Sequence, residues 1–106
     1  MRFSLFLPVV EELVGHGIGT SMHEDPDVPN FYTKTNVILK EGMTICIEPM
    51  INAGTRNVYL AKNGWAVHTS DHRNAAHYEL TVVVRKGRAE QLSTFEFIEN
   101  DGSIKF

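Results

Sequence analysis

The chain is poor in cysteine, in long apolar runs and in net charge. Cys46 is the only cysteine among 106 residues. That excludes an intrachain disulfide and a Cys-x-x-Cys zinc motif, and it fits a reducing cytoplasm. No apolar run approaches the ~20 residues of a membrane-spanning helix, so no membrane partner is expected. Phe3 to Val10 is an apolar run after Arg2, but Glu11 and Glu12 follow at once and no small-residue cleavage site is present. This argues against a signal peptide. Neither sign of charge dominates: ten Lys and Arg stand among thirteen Asp and Glu, for a formal net charge of −3. The basic residues are scattered, and no patch suited to nucleic acid forms. The length suits one domain over residues 1–106 and is too short for two.

What is there reads as a mostly β chain with one helix at its start. Leu5, Val9 and Leu13 make an apolar stripe with Phe6, Val10 and Val14 beside it, which predicts a short helix over Phe3 to Val14. Pro8 is awkward inside it and suits a first turn. Gly15, Gly17 and Gly19 flank His16 and Ile18. That glycine density suits a strand approached closely by another backbone. Ser21 to Lys40, with Pro26 and Pro29, reads as a long loop. Met43 to Ile47 alternates as a strand, with Thr44, Cys46 and Glu48 on one face and Ile45 and Ile47 on the other. Asn63-Gly64 is a hairpin-turn signal between Asn57–Leu60 and Trp65–Thr69. Ala76 to Arg85 is the longest strand candidate, and its Leu80 to Val84 run predicts burial on both faces. Lys86-Gly87 turns into a last short strand near Ala89 to Leu92, and Ser93 to Phe106 reads as a frayed tail or one that packs on a partner.

Three residues carry the candidate chemistry. His16, Glu48 and Glu79 supply an imidazole and two carboxylates from separate segments, the ligand types of a hydrolytic metal site. Each also has a plainer reading. His16 can be a histidine hydrogen-bonded in a tight strand. Glu48 ends an apolar strand before Pro49, where an unpaired buried carboxylate is costly. Glu79 is enclosed by Tyr78, Leu80 and the valine run of a predicted central strand, and a charge there needs a cation, a metal or a raised pKa. His77 shares a face with Glu79 and reads as its structural partner or as a group that orients its carboxylate, rather than as a direct ligand. His68 and His72 read as surface, Cys46 as a small buried hydrophobe, and Trp65 as core. Spacing alone does not bring these segments together.

Several motifs in order resemble the methionine aminopeptidases of the bacterial type. They are Gly15-His16-Gly17-Ile18-Gly19, His23-Glu24-Asp25-Pro26, Val28-Pro29-Asn30, Leu39-Lys40-Glu41-Gly42-Met43, Ile47-Glu48-Pro49-Met50-Ile51, Gly64-Trp65 and Tyr78-Glu79-Leu80-Thr81. The resemblance runs from about Val9 to about Leu92 and covers the C-terminal half of that family. It implies an α+β fold, half of the pita-bread fold, with a curved and mostly antiparallel sheet. It implies metal ligation by His16, Glu48 and Glu79, with the Glu79 equivalent bridging two ions. The Glu48 equivalent also handles a proton of the attacking water. The His23 equivalent contacts substrate near the scissile bond, and Met22 and Trp65 map onto the methionine pocket.

Departures accompany the match. The family's two aspartate ligands and a further histidine belong to its N-terminal half, so one divalent ion rather than two is expected here. Cobalt, manganese, iron and zinc all suit the donors. Leu80 stands where the family often has histidine, and Phe31 to Ile38 lacks the family's usual glycines. Met1 to Leu7 does not resemble the family, which suggests a truncated reading frame or an excised fragment. The expected function is thus a fragment of a metal-dependent methionine aminopeptidase acting on peptides with N-terminal methionine, in the cytoplasm, completed by an N-terminal half. The rivals are an inactive pita-bread-like binding module and a self-associating homo-oligomer whose uncovered apolar sheet drives pairing.

Overall fold

A computed structural model describes residues 6–99. The described strands are, in chain order, β1 (Gly15–Gly17), β2 (Glu24–Val28), β3 (Thr44–Ile47), β4 (Met50–Asn52), β5 (Val58–Leu60), β6 (Val67–Thr69), β7 (Ala75–His77), β8 (Leu80–Arg85) and β9 (Arg88–Gln91), followed by one short helix, α1 (Glu96–Glu99). Five strands form a sheet in the order β2-β1-β3-β8-β9, and two further pairs form, β4 with β7 and β5 with β6. All pairings are antiparallel. The buried apolar side chains are Val10, Ile45, Cys46, Val82 and Val83. Ile45, Cys46, Val82 and Val83 belong to the central pair of β3 and β8, while Val10 lies against β4.

Local chemistry explains the regular parts. Val82 and Val83 are both buried, as the unbroken valine run predicts. Asn63-Gly64 closes the β5–β6 hairpin, and Gly64 adopts a φ of 82° that its lack of a Cβ permits. Gly15 and Gly17 serve close approach. A Cβ on Gly15 would overlap the Cys46 carbonyl oxygen, and one on Gly17 would overlap the Asp25 carbonyl oxygen. β1 can therefore lie tightly between β2 and β3.

The predicted N-terminal helix is absent from the described part of its range. Residues 6–14 carry no helix, and Val9 instead bridges Ile51. The Val10 amide donates to the Met50 carbonyl, and the Asn52 amide donates to the Pro8 carbonyl. Backbone groups that a helix would use internally are taken by β4, and Pro8 has no amide to offer a helix. Residues 3–5 of the predicted helix lie outside the described residues. The one described helix is instead near the C-terminal end, in the segment read as a tail. There Phe95 stacks on Tyr78 at 3.9 Å, and the Thr81 amide donates to Ser93 Oγ. Residues 100–106 of that tail lie outside the described residues.

Two further expectations change. The loop Ser21 to Lys40 contains β2, an edge strand, where Pro26 leaves no ladder bond wanting. Pairing skips residues 25 and 26, because His16 faces Asp27 while Gly17 faces Glu24. The predicted long strand Ala76 to Arg85 is split by Tyr78-Glu79 into β7 and β8, which belong to different sheets. Glu79 is exposed, not enclosed in a central strand. The partner strand breaks too, at Glu48-Pro49, between β3 and β4. The register does not slip across this double break. Ile47 faces Leu80 on one side and Met50 faces His77 on the other. That register sets Glu48 opposite Glu79 and Pro49 opposite Tyr78, whose amide donates to the Pro49 carbonyl at 3.3 Å.

Candidate metal centre

The break is where the candidate residues meet. In β1, β3 and β8, His16 faces Cys46 and Cys46 faces Thr81, so their side chains line one face. Glu48 is two residues beyond Cys46, on the same face by the period of two. Glu79 lies opposite Glu48 by the register. Three strands and one interruption thus bring an imidazole and two carboxylates to one face of the sheet, in neighbouring positions.

The distances are those of a tight polar cluster. His16 Nε2 lies 3.1 Å from Glu48 Oε1, with both side chains largely buried. His77 Nε2 lies 3.2 Å from the other oxygen, Glu48 Oε2. One ligand atom each from Glu48, His77 and Glu79 lie within 4.8 Å of one another, and so do those of His16, Cys46 and Glu79. Glu79 belongs to both groups, and the expected set of His16, Glu48 and Glu79 is divided between them. Glu48 therefore has an imidazole at each oxygen. His77 pairs with Glu48, and not primarily with Glu79, the partner expected from the sequence.

The protonation pattern of His16 is set by its surroundings. Its Nδ1 is 2.9 Å from the Gly17 carbonyl oxygen. A carbonyl only accepts, so Nδ1 carries the hydrogen. In the neutral ring Nε2 then holds a lone pair, and that lone pair faces a carboxylate oxygen. Two acceptors at 3.1 Å need a proton or a metal ion between them. Opposed Glu48 and Glu79 add the same demand, because like charges on facing strands repel. The donor set of imidazole nitrogens and carboxylate oxygens fits a divalent ion of the zinc, manganese, iron or cobalt kind.

Cys46 was expected to be a small buried hydrophobe, and it is buried. Its position in the cluster was not legible from the sequence. Its Sγ lies 3.5 Å from Thr81 Oγ1. Burial pushes the thiol pKa up, the Thr81 hydroxyl opposes this, and the Glu79 carboxylate adds to the rise. The thiol form is favoured in this surrounding.

The remaining predicted residues are placed as follows. His23 directly precedes β2, and its ring meets His16 edge to face at 4.3 Å. Met22 beside it is exposed. Trp65 is 79% exposed, so it is not core. It lines an open cavity with Val10, Leu13, Met50, Val67 and His77. Met22 is not among the residues lining that cavity. His68 and His72 are on the surface, where Tyr59 stacks on His68.

The chain is 48% identical over 86 residues to the methionine aminopeptidase of Escherichia coli K12, covering 80% of this chain and 33% of that protein. It is 47% identical over 85 residues to the methionine aminopeptidase of Buchnera aphidicola subsp. Schizaphis graminum, again covering 80% and 33%. Among solved structures, the methionine aminopeptidase of Thermotoga maritima superposes with a TM-score of 0.76 at 41% identity, covering 81% of this chain and 35% of that one. That of Rickettsia prowazekii gives 0.76 and 41%, covering 80% and 35%. The chain spans about a third of the length of the curated relatives it matches. Among the described residues no helix is long and apolar enough to cross a membrane. The sequence pattern of metallopeptidase family M24 matches residues 5–86, and the chain belongs to that family.

Proposed function

We propose that this chain is one part of a metal-dependent methionine aminopeptidase, which removes N-terminal methionine from polypeptides in the cytoplasm. The observation that carries the reading is the convergence of His16 Nε2 on a Glu48 oxygen at 3.1 Å, with Glu79 in register opposite Glu48. His16, Glu48 and Glu79 hold a divalent ion, one per chain. When bound, such an ion polarises a peptide carbonyl and lowers the pKa of a coordinated water. Glu48 accepts and returns a proton at its carboxylate. His23, edge-on to His16, contacts the peptide near the bond that is cut. Met22 and Trp65 form part of the wall for the methionine side chain. Both are exposed, at 71% and 79%, and a complementary N-terminal half would cover them. The 106 residues act as one domain, the C-terminal part of the catalytic unit.

Manganese or cobalt titration of the purified chain tests the site. About one ion per chain, lost in Glu79→Ala, supports it. Hydrolysis of a methionyl peptide is then measured with and without a separately produced N-terminal half of a bacterial methionine aminopeptidase. A gain in hydrolysis on mixing supports complementation. No gain, with both pieces folded, counts against it and turns attention to a binding role.

A further inference from the structure

We propose that His77 is itself a ligand of the ion and joins Glu48, Glu79 and His16 in a four-donor site supplied by this chain alone. The inference rests on the metal reading above and extends it. It starts from placement. His77 ends β7, two residues before Glu79, and faces Met50, two residues after Glu48. Its imidazole therefore sits diagonally across the double break from Glu48. The ring nitrogen Nε2 reaches Glu48 Oε2 at 3.2 Å. The same side chain offers a ligand atom within 4.8 Å of those of both Glu48 and Glu79.

Three features favour ligation over a purely structural pairing. First, three donors from two strands surround one point, where a hydrogen bond to Glu48 alone needs only two. Second, His77 is 43% exposed at its side chain, and an exposed ion pair of this kind holds a fold together weakly. Third, two opposed carboxylates require a cation, and His16 faces only one of Glu48's oxygens. A histidine nitrogen with two glutamate oxygens is a donor set that zinc and cobalt accept, and it leaves coordination positions for His16 and for water. The aspartate ligands expected from an N-terminal half would then be unnecessary for holding the first ion. The exposed side of His77 leaves that ion a route in from solvent.

The test uses the full chain loaded with cobalt(II). Each cobalt-bound imidazole gives its own set of strongly shifted ring signals in the proton NMR spectrum. Two sets are expected in the parent, one in His77→Gln and one in His16→Asn. Cobalt affinity in His77→Gln should fall at least ~10-fold. A parent spectrum with a single imidazole set, unchanged in His77→Gln, overturns this inference and leaves the His16, Glu48 and Glu79 reading standing. Absence of cobalt binding by the folded parent overturns both. The parent spectrum alone counts the imidazoles, so the test survives if a variant fails to fold.

Discussion

Replacing Glu79 by glutamine should stabilise the metal-free chain and destabilise the metal-loaded one. Glu48 and Glu79 face each other across the strand break, with oxygens within 4.8 Å. Two unit charges at 4.8 Å repel by about 0.9 kcal/mol in a water-like dielectric. Glu79 is exposed, so screening applies, and facing charges on paired strands cost ~0.2–1 kcal/mol. Relief of about 0.5–1 kcal/mol should raise Tm by ~2–6 °C in a chain of this size. Glutamine keeps the shape and the hydrogen-bonding capacity while removing the charge. A divalent ion inverts the sign. At 100 times its Kd it stabilises the parent by ~2.7 kcal/mol, and the variant should gain much less. The assay is a pair of thermal melts near neutral pH, one with chelator and one with saturating manganese or cobalt. The variant should melt higher in chelator, and the order should reverse with metal. A variant that melts lower than the parent in chelator would refute the repulsion argument and make Glu79 a structural partner. A parent indifferent to metal would sink the metal reading and favour a non-catalytic binding module.

Three other outcomes follow from the geometry. Gly15→Ala drives a Cβ into the Cys46 carbonyl and should cost ~3 kcal/mol, read as a lower urea midpoint with an unchanged m-value. A near-neutral effect would mean that β1 does not lie as close to β3 as described. Asp71 is held below the ordinary carboxylate range by the Thr55 amide first and the Arg73 amide next. A depressed carboxyl contributes stability that is full above the ordinary range and lost as pH falls through its folded value. Asp71→Asn should therefore flatten the loss of stability on acidification below about pH 4. Equal slopes in parent and variant would remove Asp71 from that role. Cys46 is buried and its thiol is pushed up by burial, so iodoacetamide should label it only as fast as the chain opens. Rapid labelling of the folded chain near neutral pH would contradict that placement.

Elements with short-range causes were legible in the sequence. The β5–β6 hairpin follows from Asn63-Gly64, and β3 and β8 follow from alternation and from a valine run. The helix expected over Phe3 to Val14 is absent from the described residues 6–14 because its i, i+4 stripe competes with a distant partner. Asn52 and Met50, about forty residues away, claim the backbone groups of Pro8 and Val10. No local pattern records that claim. Glu79 failed in the same way. Its apolar neighbours predict a strand interior, yet the chain breaks there opposite Pro49, in the other strand. Local composition names the ligand types, and the family motifs name His16, Glu48 and Glu79. Only register shows why they meet: one count, running unbroken from Ile47 and Leu80 to Met50 and His77, carries Glu48 to Glu79. The same count brings His77 to Glu48, which the sequence did not suggest. The interruption is therefore what builds the centre. Continuous strands would bury these carboxylates in a sheet interior, where an unpaired charge is costly. A paired break leaves them opposed, partly open and in want of a cation.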